Sequence, residues 1–230
     1  MFGSLFKQGA LIFIFQVISK LLTLAGGIWT ARMLGPEKLG ISGIFLSVIP
    51  VFMIFSGLKL EVLLVRQHTA GSTEKDIQET ADTFFSFQLL NCIILLLLVF
   101  PMVWIFTDSD KLGLAFILAI PCALLTGTQP QWILQAKERM PRFYVSNIFL
   151  ALASTAIIFL VIRKDSPAGI DLLAILGGLI VSWVLKWKYA EIGRPWPRPA
   201  FHQVRHYFSL TRKHSGILIT GLFVFVHNNL

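Results

Sequence analysis

Long runs of apolar residues dominate the pattern along the chain. A helix needs about 20 mostly apolar residues to cross the hydrocarbon of a bilayer. Six runs approach or exceed this length, and they cover residues 9–30, 40–58, 83–107, 112–136, 143–162 and 172–189. A seventh run, 215–230, holds 16 residues and is expected to be the start of a truncated span. The pattern predicts an all-α, polytopic transmembrane helical bundle of six spans plus a truncated seventh.

Composition supports this prediction. Hydrophobic residues make up 55% of the 230 residues and charged residues only 14%, whereas soluble domains carry about 25% charged residues. Such a chain could not cover its surface with polar groups in water. The net charge of +8 could indicate nucleic acid as a partner, but the basic residues lie in particular loops. They therefore point to membrane topology and to anionic lipid headgroups.

The basic residues alternate between the two ends of the predicted spans. Fourteen lie at the N-terminus and in the second, fourth and sixth connections, and five lie in the other connections. The positive-inside rule places the larger set in the cytoplasm. This predicts a multi-pass protein of the cell (cytoplasmic) membrane with a cytoplasmic N-terminus. Lys186 and Lys188, near the end of the sixth run, are expected to snorkel to the interface.

The chain divides into three parts on this pattern. Residues 1–189 form the predicted transmembrane lobe, 190–214 a cytoplasmic linker with an interfacial amphipathic helix, and 215–230 the start of the seventh helix. The amphipathic helix is predicted from apolar side chains that recur at helical spacing among basic ones. These apolar side chains are Phe201, Val204, Tyr207 and Phe208.

A polar stripe runs along the first span. Gln16, Lys20 and Thr23 fall on one helical face, and Lys20 lies near the middle of its run, where a charge is costly. The lysine either snorkels or pairs with another helix, or it faces a hydrated cavity. The other spans offer no acidic residue inside them, so an anionic cargo is the simplest partner for a cavity-facing Lys20.

Uncharged polar side chains occur in the other spans. Each could hold helices together, and collectively they suit a cavity lined for sugars. They include Gln88, Asn91, Thr126, Gln129, Asn147 and Ser154. Cys92 and Cys122 are expected to be small packed side chains. His202 and His206 are four residues apart but have no third ligand nearby. We therefore expect no metal and no cofactor.

Three segments resemble motifs of one transporter family. Residues 30–40 read TARMLGPEKLG, 56–64 read SGLKLEVLL, and 137–143 read KERMPRF. In this order they are similar to segments of the polysaccharide/O-antigen (Wzx-type) flippases of the multidrug/oligosaccharidyl-lipid/polysaccharide exporter superfamily. In the second segment, Lys59 stands where the family pattern has arginine, and Glu61 matches it.

The resemblance implies a non-enzymatic transporter with two pseudo-symmetric halves, of which this chain would be the N-terminal one. Such flippases move undecaprenyl-pyrophosphate-linked oligosaccharide to the outer leaflet by alternating access. Membrane lipids, the cargo, and polysaccharide polymerase and chain-length proteins would be its partners, and nucleic acid would not. The expected substrate-binding residues are Gln16, Lys20, Thr23, Arg32, Lys59, Glu61, Gln88, Asn91, Gln129 and Asn147.

Three alternatives stay open. A drug or peptidoglycan-precursor exporter of the same superfamily would share the fold, and a non-transporting membrane scaffold would share the spans. An intramembrane enzyme would need His, Asp or Glu side chains grouped at one membrane face, and the sequence suggests no such group.

Overall fold

The computed structural model describes residues 2–68, 72–106, 113–193, 196–201, 204–213 and 216. The predicted seventh span, 215–230, lies almost wholly outside these residues, as does His202. The described residues are helical, with turns and short irregular connections and no strand. The helices are α1 (Phe2–Phe55), α2 (Glu61–His68), α3 (Glu74–Phe106), α4 (Gly113–Gly127), α5 (Gln131–Ala136), α6 (Met140–Val161), α7 (Ile170–Ala190) and α8 (Val204–Lys213).

Five helical segments of the described chain are long and apolar enough to cross a membrane, so the protein is a multi-pass membrane protein. They are Gly9–Phe55, Glu74–Val103, Gly113–Ala136, Met140–Val161 and Ile170–Ala190. The first has 47 residues and would measure about 70 Å if straight, more than twice the hydrocarbon thickness.

The chain bends sharply inside α1, at Gly35. Its φ of 76° is non-helical and lies in the left-handed region that glycine adopts without a steric penalty. Pro36 follows and adds no backbone N–H to continue the ladder. The bend divides α1 into an N-terminal arm, residues 2–34, and a C-terminal arm, residues 36–55.

Hydrogen bonds to α6 and α7 give the directions of the two arms. The N-terminal arm follows α6, because Ser19 Oγ donates to the carbonyl of Asn147 and Thr155 Oγ1 donates to that of Leu22, at 3.4 and 3.0 Å. The C-terminal arm begins beside the connection after α6 and the first turn of α7, and further along it packs against α4.

Two hydrogen bonds show where the start of the C-terminal arm lies along this part of the chain. Lys38 Nζ donates to the carbonyl of Ser166 at 2.7 Å, and Ser42 Oγ donates to Asp171 at 2.5 Å. Each arm thus runs in the direction of the helix beside it. Because α6 and α7 are successive helices joined by a short connection, the two arms lie antiparallel. They correspond to the separate spans predicted at 9–30 and 40–58.

Asp171 corrects one expectation from the sequence. The spans were expected to hold no acidic residue, but α7 begins at Ile170, two residues earlier than the predicted span. Asp171 in its first turn is only 4% exposed. The prediction was wrong because the apolar run starts after the helix does.

Helix α8 packs against the bundle through aromatic side chains. Val204 and Tyr207 are buried, and the Tyr207 ring lies 5.4 Å from that of Phe84 and 5.5 Å from that of Phe87 on α3. Phe208, from the same predicted stripe, stays 40% exposed. A helix is thus present where the apolar spacing predicted one, only one edge of its apolar face is covered by the bundle, and its place at the membrane interface stays a prediction.

Candidate functional site

Two interruptions of the helices lie against each other inside the bundle. One is the turn at 56–60, between α1 and α2, and the other is the break at 128–130, between α4 and α5. They approach closely because residue 127 is glycine. A Cβ atom on Gly127 would lie 3.2 Å from Ser56 Cβ and would collide with the Cys92 sulfur. Because of the break at 128–130, the predicted span 112–136 consists of two helices, α4 and α5, in one apolar segment.

Polar side chains line a cavity of about 180 Å³ beside these interruptions, here called the amide cavity. Four glutamines, one ammonium group and one carboxyl group supply most of its polarity. Its lining includes Lys59, Glu61, Gln88, Thr126, Gln129, Gln131, Trp132 and Gln135. Four of the residues predicted to bind substrate, from three different segments, are thus brought together here.

The 56–60 turn carries the charged part of this cavity. Leu58 and Lys59 adopt positive φ angles of 49° and 59°, an uncommon conformation for residues other than glycine. The turn directs the chain back so that the Glu61 carboxylate occupies the space beside Gly57. Burial raises the pKa of Glu61, although a backbone hydrogen bond and Lys59 act in the opposite direction.

Gln129 of the amide cavity is bonded to a buried lysine. Lys186 Nζ on α7 donates to Gln129 Oε1 at 2.8 Å and lies 4.3 Å from the centre of the Phe143 ring. Lys186 is only 2% exposed, so the prediction that it snorkels is wrong. The polar break in the neighbouring helix gives its ammonium a partner inside the bundle, whereas Lys188 is exposed as expected.

A second, larger cavity of about 690 Å³ opens along the N-terminal arm and is here called the arm groove. Gln16, Lys20 and Asn147 all line it, together with Tyr144 and apolar side chains. Gln16 and Lys20 are exposed. Lys20 is therefore accessible to a ligand, and it lies near the middle of α6, because Ser19 and Leu22 on either side of it bond to Asn147 and Thr155.

The remaining predicted residues lie apart from both cavities. Thr23 donates to the carbonyl of Ser19 within its own helix and borders a separate cavity beside α6 and α7. Arg32 is exposed. Asn91 is buried and donates to the carbonyl of Ser56 at 2.8 Å, so its role in this structure is to hold the 56–60 turn. Among the described residues, no three His, Cys, Asp or Glu side chains come together as metal ligands.

Three basic side chains next to the amide cavity bind Glu191 at the end of α7. They are Lys137, Arg139 and Arg142, here called the basic clamp. Arg139 and Arg142 both form ion pairs with Glu191, and Lys137 Nζ donates to the carbonyl of Glu191 at 2.7 Å. Hydrogen bonds from Arg139 and then Arg142 hold the pKa of Glu191 below its ordinary value. The 137–143 segment therefore fixes the end of α7, which carries Lys186, against the start of α6.

A family model described as polysaccharide biosynthesis protein matches residues 5–228. The chain belongs to this family. The match spans nearly the whole chain, and it confirms the resemblance to polysaccharide exporters that the three motifs indicated. No curated protein and no solved structure shows a significant match. Within the described part of the chain, the amide cavity and the arm groove hold seven of the ten residues predicted to bind substrate, so both are candidate sites for a polar ligand.

Three contributors to the site were missed from the sequence. Lys186 donates a hydrogen bond to Gln129 of the cavity lining, and Gln131 and Gln135 are part of that lining. The signal was present in the sequence TQPQW at 128–132, where a proline inside a predicted span is flanked by two amides. Discontinuous membrane helices commonly form the binding sites of transporters.

Proposed function

We propose that this protein flips lipid-linked (undecaprenyl-pyrophosphate) oligosaccharide across the cytoplasmic membrane, and that it transports its cargo without chemical change. The observation that carries the proposal is the broken helix α4–α5, which opens an amide-lined cavity inside the bundle of a polysaccharide biosynthesis protein. A glycan cannot cross hydrocarbon unaided, because each desolvated hydroxyl group costs free energy unless it is hydrogen-bonded.

We propose six crossings in the described part of the chain, with the N-terminus in the cytoplasm. The bend at Gly35 and the antiparallel arms of α1 support two crossings by α1, and the other four long segments supply one crossing each. The distribution of basic residues supports the orientation. The amide cavity and the basic clamp then lie toward the cytoplasmic end, where the cargo would be loaded.

The two cavities suit different parts of such a cargo. The arm groove offers the Lys20 ammonium to the pyrophosphate, and its exposed apolar side chains, such as Phe13 and Leu21, suit the lipid tail or a facing lobe. The amide cavity offers donors and acceptors to sugar. Rocking of this lobe against a second one would expose the sites alternately to each side of the membrane. Polysaccharide polymerase and chain-length proteins would receive the cargo.

Deletion of the gene tests the proposal. We expect loss of surface polysaccharide together with accumulation of the lipid-linked unit in the inner leaflet, measured by leaflet-selective labelling and by mass spectrometry of extracted lipids. Restoration of the gene at its own locus should reverse both effects. Loss of polysaccharide without accumulation would favour a scaffold, and altered drug susceptibility with intact polysaccharide would favour a drug exporter. Either result would contradict the proposal.

A further inference from the structure

The contact between Lys186 and Gln129 determines which atom Gln129 presents to the amide cavity. A lysine ammonium has three donors and no acceptor, so the amide must direct its oxygen toward Lys186. In a planar amide, the NH₂ group then points to the other side. Within the described part of the chain, no acceptor takes a hydrogen bond from Gln129 Nε2. The contact therefore leaves a donor available to the cavity.

Helix α7 also fixes the backbone next to Gln129. Trp183, one turn before Lys186, donates through Nε1 to both the carbonyl and the Oγ1 atom of Thr128, at 3.2 Å each. The break at 128–130 is thus held by α7 at the backbone of Thr128 and at the side chain of Gln129. A donor fixed in this way loses little conformational entropy when a ligand binds.

We propose that the amide cavity binds one neutral sugar ring, and that Lys186 is a positioning residue that fixes Gln129 as a donor to a hydroxyl of that ring. This inference rests on the proposed function, and it names the part of the cargo that this cavity takes. The cavity's volume of about 180 Å³ is too small for an oligosaccharide. The site therefore takes a single unit of the glycan.

The composition of the cavity favours a sugar over an anion. Sugar hydroxyls both donate and accept, and the cavity supplies donors in its amides and an acceptor in Glu61. An anion would meet both the Lys59 ammonium and the Glu61 carboxyl group, so the lining carries no excess positive charge to hold it.

Two substitutions distinguish the effect of the Gln129 NH₂ donor from the effect of side-chain packing. In Gln129→Glu, the new carboxylate keeps the size of the amide and its contact with Lys186 but loses the NH₂ donor. In Lys186→Met, the side-chain volume is kept, but the Gln129 amide loses the bond that fixes its orientation and is free to rotate. The matched controls are Gln67→Glu, an exposed glutamine of α2 that does not line the cavity, and Lys188→Met, the exposed lysine of the same helical turn.

The test uses the chain in lipid nanodiscs, with binding of glucose, galactose and N-acetylglucosamine measured by saturation-transfer NMR. For at least one of these sugars, we expect Gln129→Glu to weaken binding about tenfold, the effect of losing one hydrogen bond of about 1.4 kcal/mol. Lys186→Met should weaken binding less, and Lys186→Arg should retain it because arginine is also only a donor. Both controls should stay within about twofold of wild type.

Monodeoxy analogues of the bound sugar provide a readout that packing damage would not produce. Removal of the hydroxyl that accepts from Gln129 should weaken binding to wild type but cost nothing in Gln129→Glu. Equal losses in both proteins would overturn the assignment, as would sugar binding by Gln129→Glu at wild-type strength or no binding of any of the three sugars. Displacement of the sugar by inorganic pyrophosphate, with loss of pyrophosphate binding in Lys186→Met, would show an anion site instead.

This experiment is independent of transport. If the wild-type chain binds sugar through Gln129 but deletion of the gene leaves the lipid-linked unit correctly distributed, only the flippase proposal fails. If deletion traps the lipid-linked unit in the inner leaflet but Gln129→Glu binds sugar normally, only the sugar-ring proposal fails.

Discussion

The side-chain amide of Asn91 on α3 donates a hydrogen bond of 2.8 Å to the carbonyl of Ser56, at the point where α1 ends. Both residues are buried, and an unpaired carbonyl there would be costly. We expect Asn91→Leu to lower the free energy of unfolding by about 1–2 kcal/mol, measured by unfolding in mixed micelles. Thr23→Val, which removes a hydroxyl bonded only within its own helix, should change it much less. Equal stability of Asn91→Leu and wild type would show that the bond does not hold the turn.

Gly127 sets the distance between the two helix interruptions. We expect Gly127→Ala to destabilise the protein by about 1–3 kcal/mol, because the added methyl group overpacks the contact with Ser56 and Cys92. Gly43→Ala is the matched control, since nothing lies within 4 Å of a Cβ atom at that helical position. Thermal unfolding of both variants measures the difference. Addition of Cys92→Ala should recover part of the loss, and a Gly127→Ala variant as stable as Gly43→Ala would contradict the close approach.

Lys20 is expected to contact the pyrophosphate of the cargo. Because Lys20 is exposed in the arm groove, Lys20→Ala should leave abundance near normal while export falls at least about tenfold, the loss of one charged interaction of 1.4 kcal/mol or more. Lys20→Arg should keep part of the activity, since it preserves the charge but alters the geometry. Arg32→Ala, at an exposed position outside the groove, should have a smaller effect. Export by variants at the chromosomal locus is the measurement, and wild-type export by Lys20→Ala at equal protein level would exclude the role.

Glu191 makes the basic clamp sensitive to acid. Its pKa in the folded protein is lowered by Arg139 and Arg142, so the ion pairs are complete above the ordinary glutamate range and weaken as the pH falls through the lowered pKa. We expect spin labels at positions 138 and 188 to give a narrow distance distribution at neutral pH and a broader one in acid. Glu191→Gln should be broad at both values, and Glu79→Gln, an exposed carboxylate on α3, should behave as wild type. A narrow distribution in Glu191→Gln would show that the clamp does not depend on these pairs.

The proposed topology places position 75 in the cytoplasm and position 164 outside. Single cysteines at these sites, in a background lacking Cys92 and Cys122, should react differently with a membrane-impermeant maleimide. In intact cells we expect labelling at 164 and none at 75, whereas permeabilised cells should label at both. Efficient labelling at 75 from outside would reverse the orientation.

Hydrophobic pattern predicted most of the helices, because lipid-facing and buried positions of a membrane helix are both apolar. The pattern predicted separate helices on either side of Gly35, where glycine, proline and charged residues interrupt the apolar runs. It also predicted α8, from apolar side chains that recur at helical spacing. It missed the break at 128–130, because proline is tolerated inside membrane helices and does not by itself indicate an interruption. The break is defined by Trp183 of α7, which bonds to Thr128 from 55 residues away.

The candidate site was predicted as a list of residues but not as two groups. Gln129 and Lys186 are 57 residues apart, and only the packing of α7 behind α5 brings them together. A lysine near the end of a span normally reaches the interface, so its burial could not be predicted without knowing that Gln129 lies beside it. The contact of Asn91 with Ser56 could not be predicted for a similar reason, since its partner is a backbone carbonyl with no sequence signature.

The pairing of Ser42 with Asp171 has a consequence for the synthesis of the protein. The two residues are 129 positions apart, and translation at about 5–20 residues per second separates their emergence by roughly 6–26 s. The arms of α1 enter the membrane long before α6 and α7 exist to pack against them. During that interval the polar groups of the two arms lack their native partners, so these arms complete their packing only after α6 and α7 have been synthesised. We therefore expect the nascent hairpin to depend on the insertion machinery until α6 and α7 arrive.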